Sequence, residues 1–434
     1  MNFSEDFLHY VWQFKSFDHV DLRTADAQTL QIIHHGFLNK DAGPDFSQAK
    51  IQIAETLWAG NVEIHLKSSD WLKHRHQNDK AYENVILHVV YEHDVEINRM
   101  DGSVIPVLIL KNRIARELLE KYENLFLNLN DFPCAAQIAS VNRVIIDSFL
   151  SRTLTERFEE KTELLFKSLE EAKGNWDEIF YQFMARNFGF KVNALPFEFL
   201  AKAMPSSIYR KHKDNPFQVE ALVYGAAGFL NHHAEEEYPR KLKAEFLFLQ
   251  KKYKIKPIEM SNWKFMRMRP QNFPTLRLAQ FAALISKSNH LFSKIIAIKD
   301  IGELGRLFEK LPVNPYWEEH YHFHKKAAGV NTQIGKKSIE NILLNTVALF
   351  LFAYGKHIGM QDYIDRAICL LESLPAEKNA ITEKFTGAGV SIEKAFASQA
   401  VLQLKKQYCD QKKCLRCGIG ISILKPDLNN IHHT

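Results

Sequence analysis

Two rhythms of apolar and polar positions run along this chain. The first 130 residues mix them. Residues 3–17 place apolar side chains three and four apart and predict an opening helix. Residues 49–57 (AKIQIAETL) and 61–67 (NVEIHLK) alternate with period two, and the short link at Ala59-Gly60 predicts a hairpin. Residues 84–92 (NVILHVVYE) are a β-branched run, predicting a more buried strand. Residues 104–110 (VIPVLIL) predict a further strand, which Pro106 places at an edge. Residues 114–127 return to helical spacing.

Beyond residue 141 the helical rhythm is nearly continuous. It covers 141–169, 176–186, 219–230, 241–252, 275–287, 339–356, 361–371 and 391–407, with Gly, Pro and Asn between the runs. The pattern predicts an α+β protein. A mixed α/β sheet domain occupies 1–130, a large all-α domain 141–408, and a Cys-rich C-terminal closure 409–434.

Charge sharpens this division. The 434 residues carry a net charge of +5, yet residues 1–130 hold 13 Lys/Arg against 19 Asp/Glu. Residues 240–299 hold 14 Lys/Arg against only Glu245 and Glu259. Nine of the 19 histidines fall in the first 93 residues. No basic start with an apolar run opens the chain, and the most apolar stretch, 342–354, is short and interrupted by Asn345 and Thr346. With only five cysteines, the expectation is a soluble, cytoplasmic protein without a membrane partner. A Walker A motif, a Rossmann glycine fingerprint, a nucleophile elbow and an HExxH motif are all absent, which argues against nucleotide hydrolysis, dinucleotide redox chemistry and serine hydrolysis.

Candidate chemistry concentrates between Asp41 and Asp94. Gly43-Pro44-Asp45-Phe46 precedes one strand, and Glu63, His65 and Lys67 share one face of the next. Asp45 and Glu63 offer carboxylates for a hard divalent ion, Mg²⁺ or Mn²⁺, while His65 or Lys67 supplies a basic group beside it. Asp70, His74, His76, Asp79 and His88 are accessory candidates, and His74 with His76 offers imidazoles suited to zinc.

The order Pro-Asp, strand, then Glu-x-basic after a hairpin resembles the PD-(D/E)xK nuclease superfamily. That resemblance implies a restriction-endonuclease-like core of helix, three-stranded meander, helix and strand. Asp45 stands at its Asp position and Glu63 at its acidic position, while His65 replaces its Lys. More broadly, GPDF, GNVEIHLKSSDW, HRH, NVILHVVYEHD, RMRPQNFPTLRLAQ and YCDQKKCLRCGIG resemble a bacterial family named domain of unknown function 2851. That family implies no activity to carry over.

Two further groups stand outside the sheet. Cys409, Cys414 and Cys417 are spaced C-x4-C-x2-C, and Cys134 or a C-terminal histidine, His432 or His433, could complete a zinc site or a 4Fe-4S cluster. Cys369, inside an apolar helix, reads as a buried hydrophobe. Trp263, Arg267, Arg269, Asn272 and Arg277 lie in a shaped basic stretch suited to nucleic-acid phosphates and bases. His320, His322 and His324 would share a face only on a strand.

These residues suggest a metal-dependent nuclease-like protein acting on phosphodiester bonds. The alternatives are a non-enzymatic nucleic-acid or partner-binding scaffold with a structural metal, and a zinc-dependent hydrolase of another substrate.

Overall fold

The computed structural model describes residues 3–126, 131–231, 235–288 and 290–425. Its contacts divide the chain into two compact units. One comprises residues 1–151, 383–390 and 402–434; the other comprises 152–382 and 391–401. The C-terminal cysteine segment therefore belongs to the same unit as the N-terminal sheet.

The first unit opens with α1 (Glu5–Gln13). Phe7, Leu8, Val11 and Trp12 are fully buried, so the helix is amphipathic. Glu5 and Asp6 occupy its first turn, where the helix dipole favours acids. The strands β1 (Leu30–His34), β2 (Phe37–Leu38), β3 (Phe46–Ile53) and β4 (Thr56–Lys67) follow. After β4 come the short α2 (Asp70–Lys73), then β5 (Val85–Glu92), β6 (Val107–Ile109) and α3 (Arg116–Phe126).

The sheet order is β1-β3-β4-β5-β6, with β2 also on β3. β1, β3 and β4 are antiparallel neighbours, whereas β5 runs parallel to β4 and β6 parallel to β5. β6 lies at the edge, where Pro106 costs no ladder bond. The β3–β4 turn is not at Ala59-Gly60. It lies at Ala54-Glu55, between the paired Ile53 and Thr56, and Ala54 takes a left-handed φ of +52°. Gly60 sits inside β4 instead, where a Cβ would lie 2.6 Å from the Asn84 carbonyl oxygen. Its glycine admits a close neighbouring backbone rather than a reversal.

The second unit is helical. Its helices include Trp176–Phe188, Pro216–Ala226, Glu237–Tyr253, Pro274–Lys287 and Gln361–Ser373. The continuous helical span Lys336–Ile358 is long and apolar enough to cross a membrane, but 72% of its apolar window is buried in the fold. His320–His322 pairs with Lys325–Lys326 as a small separate ribbon.

Candidate metal centre

Register assembles the centre. In β4, Val62 to His65 are buried on both faces of the strand. Glu63 pairs with His88 of β5, and Phe46, next to Asp45, pairs with Val62. Asp45 therefore meets Glu63: its N–H donates to Glu63 Oε2 at 3.0 Å, and the Ile64 N–H donates to Asp45 Oδ2 at 2.9 Å.

The other carboxylate oxygen, Glu63 Oε1, faces imidazoles. His76 Nε2 is 3.2 Å away and His65 Nε2 is 3.6 Å away. His65 Nε2 also lies 3.0 Å from His74 Nδ1. One donor atom from each of His65, His74 and His76 lies within 4.8 Å of the others. Arg75, between His74 and His76, takes a left-handed φ of +62°, an unusual conformation for a non-glycine residue. His76 stacks on Tyr82 at 3.8 Å, which holds the ring in place. His74 is exposed, so the cluster opens to solvent on that side.

Two members come from α1. Glu5 Oε1 is 4.0 Å from His65 Nε2, and His9 Nε2 is 3.1 Å from Asp45 Oδ2. They are four residues apart, hence on one helix face. The sequence carried only a weak signal, since Glu5, His9 and Gln13 at four-residue spacing form the ordinary polar stripe of an amphipathic helix. His9 Nε2 and His76 Nε2 are buried and stand close to carboxylate oxygens, yet neither makes an aligned hydrogen bond. Such spacing suits shared coordination. Donors about 2.1 Å from one ion lie about 3.0–3.4 Å apart at octahedral and tetrahedral angles.

Electrostatics point the same way. Burial, then the charge of Asp45, raises Glu5 to about 7. Burial also raises Glu63, with Asp45 adding to it and His76 opposing. His65 is lowered to about 3 by burial and by His88, His76 and His74. His88 is lowered to about 3 mainly by burial. Burial lowers His9, but Asp45 outweighs it and the net shift is upward. Glu5 and Glu63 drift toward protonation while His65 and His88 stay neutral, and a bound cation would relieve the crowding of the carboxylates. Glu63 with His65, His74 and His76 suits a borderline divalent ion such as Zn²⁺, while the Glu5, Asp45 and Glu63 carboxylates suit Mn²⁺ or Mg²⁺.

His88 orients this set. Its Nε2 lies 2.8 Å from His65 Nδ1. If His65 donates there, its Nε2 lone pair faces Glu63 and His74.

Other expected residues lie elsewhere. Lys67 is half-exposed at the end of β4 and pairs with Glu92 at 3.9 Å. Asp70 accepts the Lys67 N–H at 3.0 Å and pairs with Lys73, so it ties β4 to α2. Asp79 accepts the Ala81 N–H in a turn.

In the helical unit, Trp263 is 5% exposed and its indole N–H donates to the Ala227 carbonyl at 2.8 Å, so it is a core residue and no stacking platform. Arg277 is equally buried. It donates to Asn272 Oδ1 at 2.6 Å, Gln280 Oε1 at 3.0 Å and Ser338 Oγ at 3.1 Å, and lies over the Phe190 ring. Asn272 and Arg277 thus bind each other rather than present themselves to phosphate. Arg267 and Arg269 are exposed. His320 and His324 flank Glu236 at 3.4 and 3.6 Å, and His322 bonds to the Phe323 carbonyl oxygen, so the three imidazoles do not converge.

Fold and cluster together describe a mixed α/β protein with a candidate divalent-metal centre and a large helical unit. A family model described as "Protein of unknown function (DUF2851)" matches residues 5–380, and the chain belongs to that family. The matched span contains every residue of the cluster and ends before Cys409. No curated protein and no solved structure matches the chain.

Proposed function

We propose that the protein is a metal-dependent nuclease-like enzyme that hydrolyses phosphodiester bonds of nucleic acid. The observation that carries this proposal is the meeting of Glu5 of α1, Asp45 just before β3, and Glu63 and His65 of β4. Support also comes from the element order. An opening helix, the antiparallel β1, β3 and β4, the short α2 and the parallel β5 agree with the PD-(D/E)xK pattern.

Glu63, His65, His74 and His76 would hold the ion, with Asp45 and Glu5 beside them. A bound divalent ion supplies polarisation of a phosphoryl oxygen and a more acidic water. Asp45 keeps Glu63 oriented through the backbone and holds His9. His65 acts as a neutral donor, because its site keeps it uncharged; it does not replace a lysine's positive charge. Arg267 and Arg269, exposed in the helical unit, are the residues proposed to meet backbone phosphate.

A second reading, a zinc-dependent hydrolase of a different substrate, is favoured by the closeness of three imidazoles. One assay separates the two. The protein is incubated with labelled single-stranded DNA, duplex DNA and RNA in Mg²⁺, Mn²⁺ or Zn²⁺, beside Asp45→Ala and Glu63→Gln. Cleavage that both substitutions abolish supports the nuclease. Zinc binding without cleavage moves the site to the second reading. Neither metal binding nor cleavage overturns both and leaves a binding scaffold.

A further inference from the structure

We propose that Cys134, Cys409, Cys414 and Cys417 form a second metal centre, a four-thiolate site for a zinc ion or an iron–sulfur cluster that staples the C-terminal segment to the sheet-bearing unit.

Four of the five cysteines come together from stretches about 275 residues apart in sequence. None is in a disulfide. Cys134, Cys414 and Cys417 are buried, and Cys409 is partly so. Cys369 lies in the helical unit and is exposed, against the expectation of a buried hydrophobe.

Each of these residues sits at a turn of the backbone. Cys134 opens a turn whose carbonyl oxygen accepts the Gln137 and Ile138 N–H groups at 3.0 and 2.9 Å. Phe132, two residues earlier, stacks on Phe385 at 3.9 Å and anchors that turn. Cys409 ends the π-helical turn Lys405–Cys409, and its carbonyl oxygen accepts the Lys412 N–H at 3.1 Å. Lys412 takes a left-handed φ of +50°, which reverses the chain between Cys409 and Cys414. The Cys414 carbonyl oxygen accepts the Cys417 N–H at 3.2 Å. At Gly420 a Cβ would stand 2.3 Å from that same carbonyl oxygen, so only glycine lets the following helix wrap this closely. His432 and His433 lie outside the described residues.

Every pair among the four thiols is close enough to interact electrostatically. Burial pushes the Cys134, Cys409 and Cys414 thiols up, and the neighbouring sulfurs push them further, Cys414 to about 12. Lys405 opposes this at Cys409, and Lys412 opposes it at Cys414. A shared metal replaces the protons and turns this crowding into ligation, with the two lysines facing the negative thiolate set. Thiolates serve zinc and iron–sulfur clusters alike.

The test uses the full chain purified without oxygen. Metal per chain is measured by mass spectrometry and the visible spectrum is recorded. Zinc near one per chain in colourless protein, or iron with thiolate-to-iron absorption in brown protein, is the expected result, and the two outcomes assign the metal. Cys134→Ser and Cys414→Ser should each lose that metal, while Cys369→Ser and Glu63→Gln retain it. Should the serine variants fail to fold, the Glu63→Gln protein, whose histidine centre is disabled, decides. Removing its metal with a chelator should lower the melting temperature by about 5 °C or more, and re-addition should restore it. Two disulfides in the oxygen-free protein, or metal content unchanged by Cys134→Ser and Cys414→Ser, would overturn the proposal.

Discussion

Asp45 and Glu63 hold each other through the backbone: Glu63 Oε2 accepts the Asp45 N–H at 3.0 Å, and Asp45 Oδ2 accepts the N–H of Ile64, next to Glu63, at 2.9 Å. Two acids that would repel are thereby fixed in place, with Glu63 Oε1 left facing the imidazoles.

Glu63→Gln keeps the shape of the side chain and removes its charge. Affinity for Zn²⁺ or Mn²⁺, measured by titration calorimetry, should fall by about 100-fold or more. Asp45→Ala should also lower stability by about 1–3 kcal/mol, because the Ile64 N–H loses its acceptor. Unchanged metal affinity in Glu63→Gln would remove Glu63 from the centre.

His88 acts through His65 rather than on the ion. His88→Gln should weaken metal binding by about 10–100-fold while the melting temperature moves far less than metal loss alone explains. A variant that binds metal like the wild type would show that the 2.8 Å contact to His65 is only packing.

Lys67 tests the departure from the nuclease pattern. It pairs with Glu92 on the surface and does not reach the cluster. Lys67→Ala should leave stability within about 0.5 kcal/mol and metal binding unchanged. A large loss of cleavage in that variant would bring the lysine back into the site.

Trp263 and Arg269 should behave as opposites. Trp263→Ala should cost about 3–5 kcal/mol in denaturant unfolding, since it empties a core position. Arg269→Ala should leave stability alone and weaken salt-sensitive binding of labelled DNA. Equal binding by wild type and an Arg267→Ala/Arg269→Ala double variant would exclude this segment as a phosphate contact.

Glu220 provides a pH signature in the helical unit. It is 7% exposed, and burial raises its carboxyl to about 7 against the hydrogen bonds from Tyr238 and Asn314. Between its ordinary value of 4.5 and about 7, the folded protein keeps a proton that the unfolded chain has released. Its contribution to stability therefore falls as pH rises through that window, by a total on the order of 3 kcal/mol, and is level above it. Urea midpoints at about pH 5 and about pH 8 should differ for the wild type and differ less in Glu220→Gln, with Glu5 accounting for part of the remainder. An undiminished difference would place the titration elsewhere.

Much of this protein was legible in its residues. The order of strands and then helices followed from local periodicity, because a period of two or of 3.6 needs no knowledge of partners. Asp45, Glu63, His65, His74 and His76 stood out as donor types crowded into one short stretch. Other features depended on which segments become neighbours. Glu5 and His9 joined the cluster because α1 packs against β4. Gly60 read as a turn because glycine permits one, although here it admits the Asn84 carbonyl. Lys67 shares the period of Glu63 and His65, yet β4 has left the buried part of the sheet by that point. Trp263 and Arg277 had the composition of a nucleic-acid contact, and burial assigned them to the core instead. Composition and spacing set what each segment can do locally. Register, burial and the meeting of residues distant in sequence come from long-range packing, and that packing decided which donors share a site.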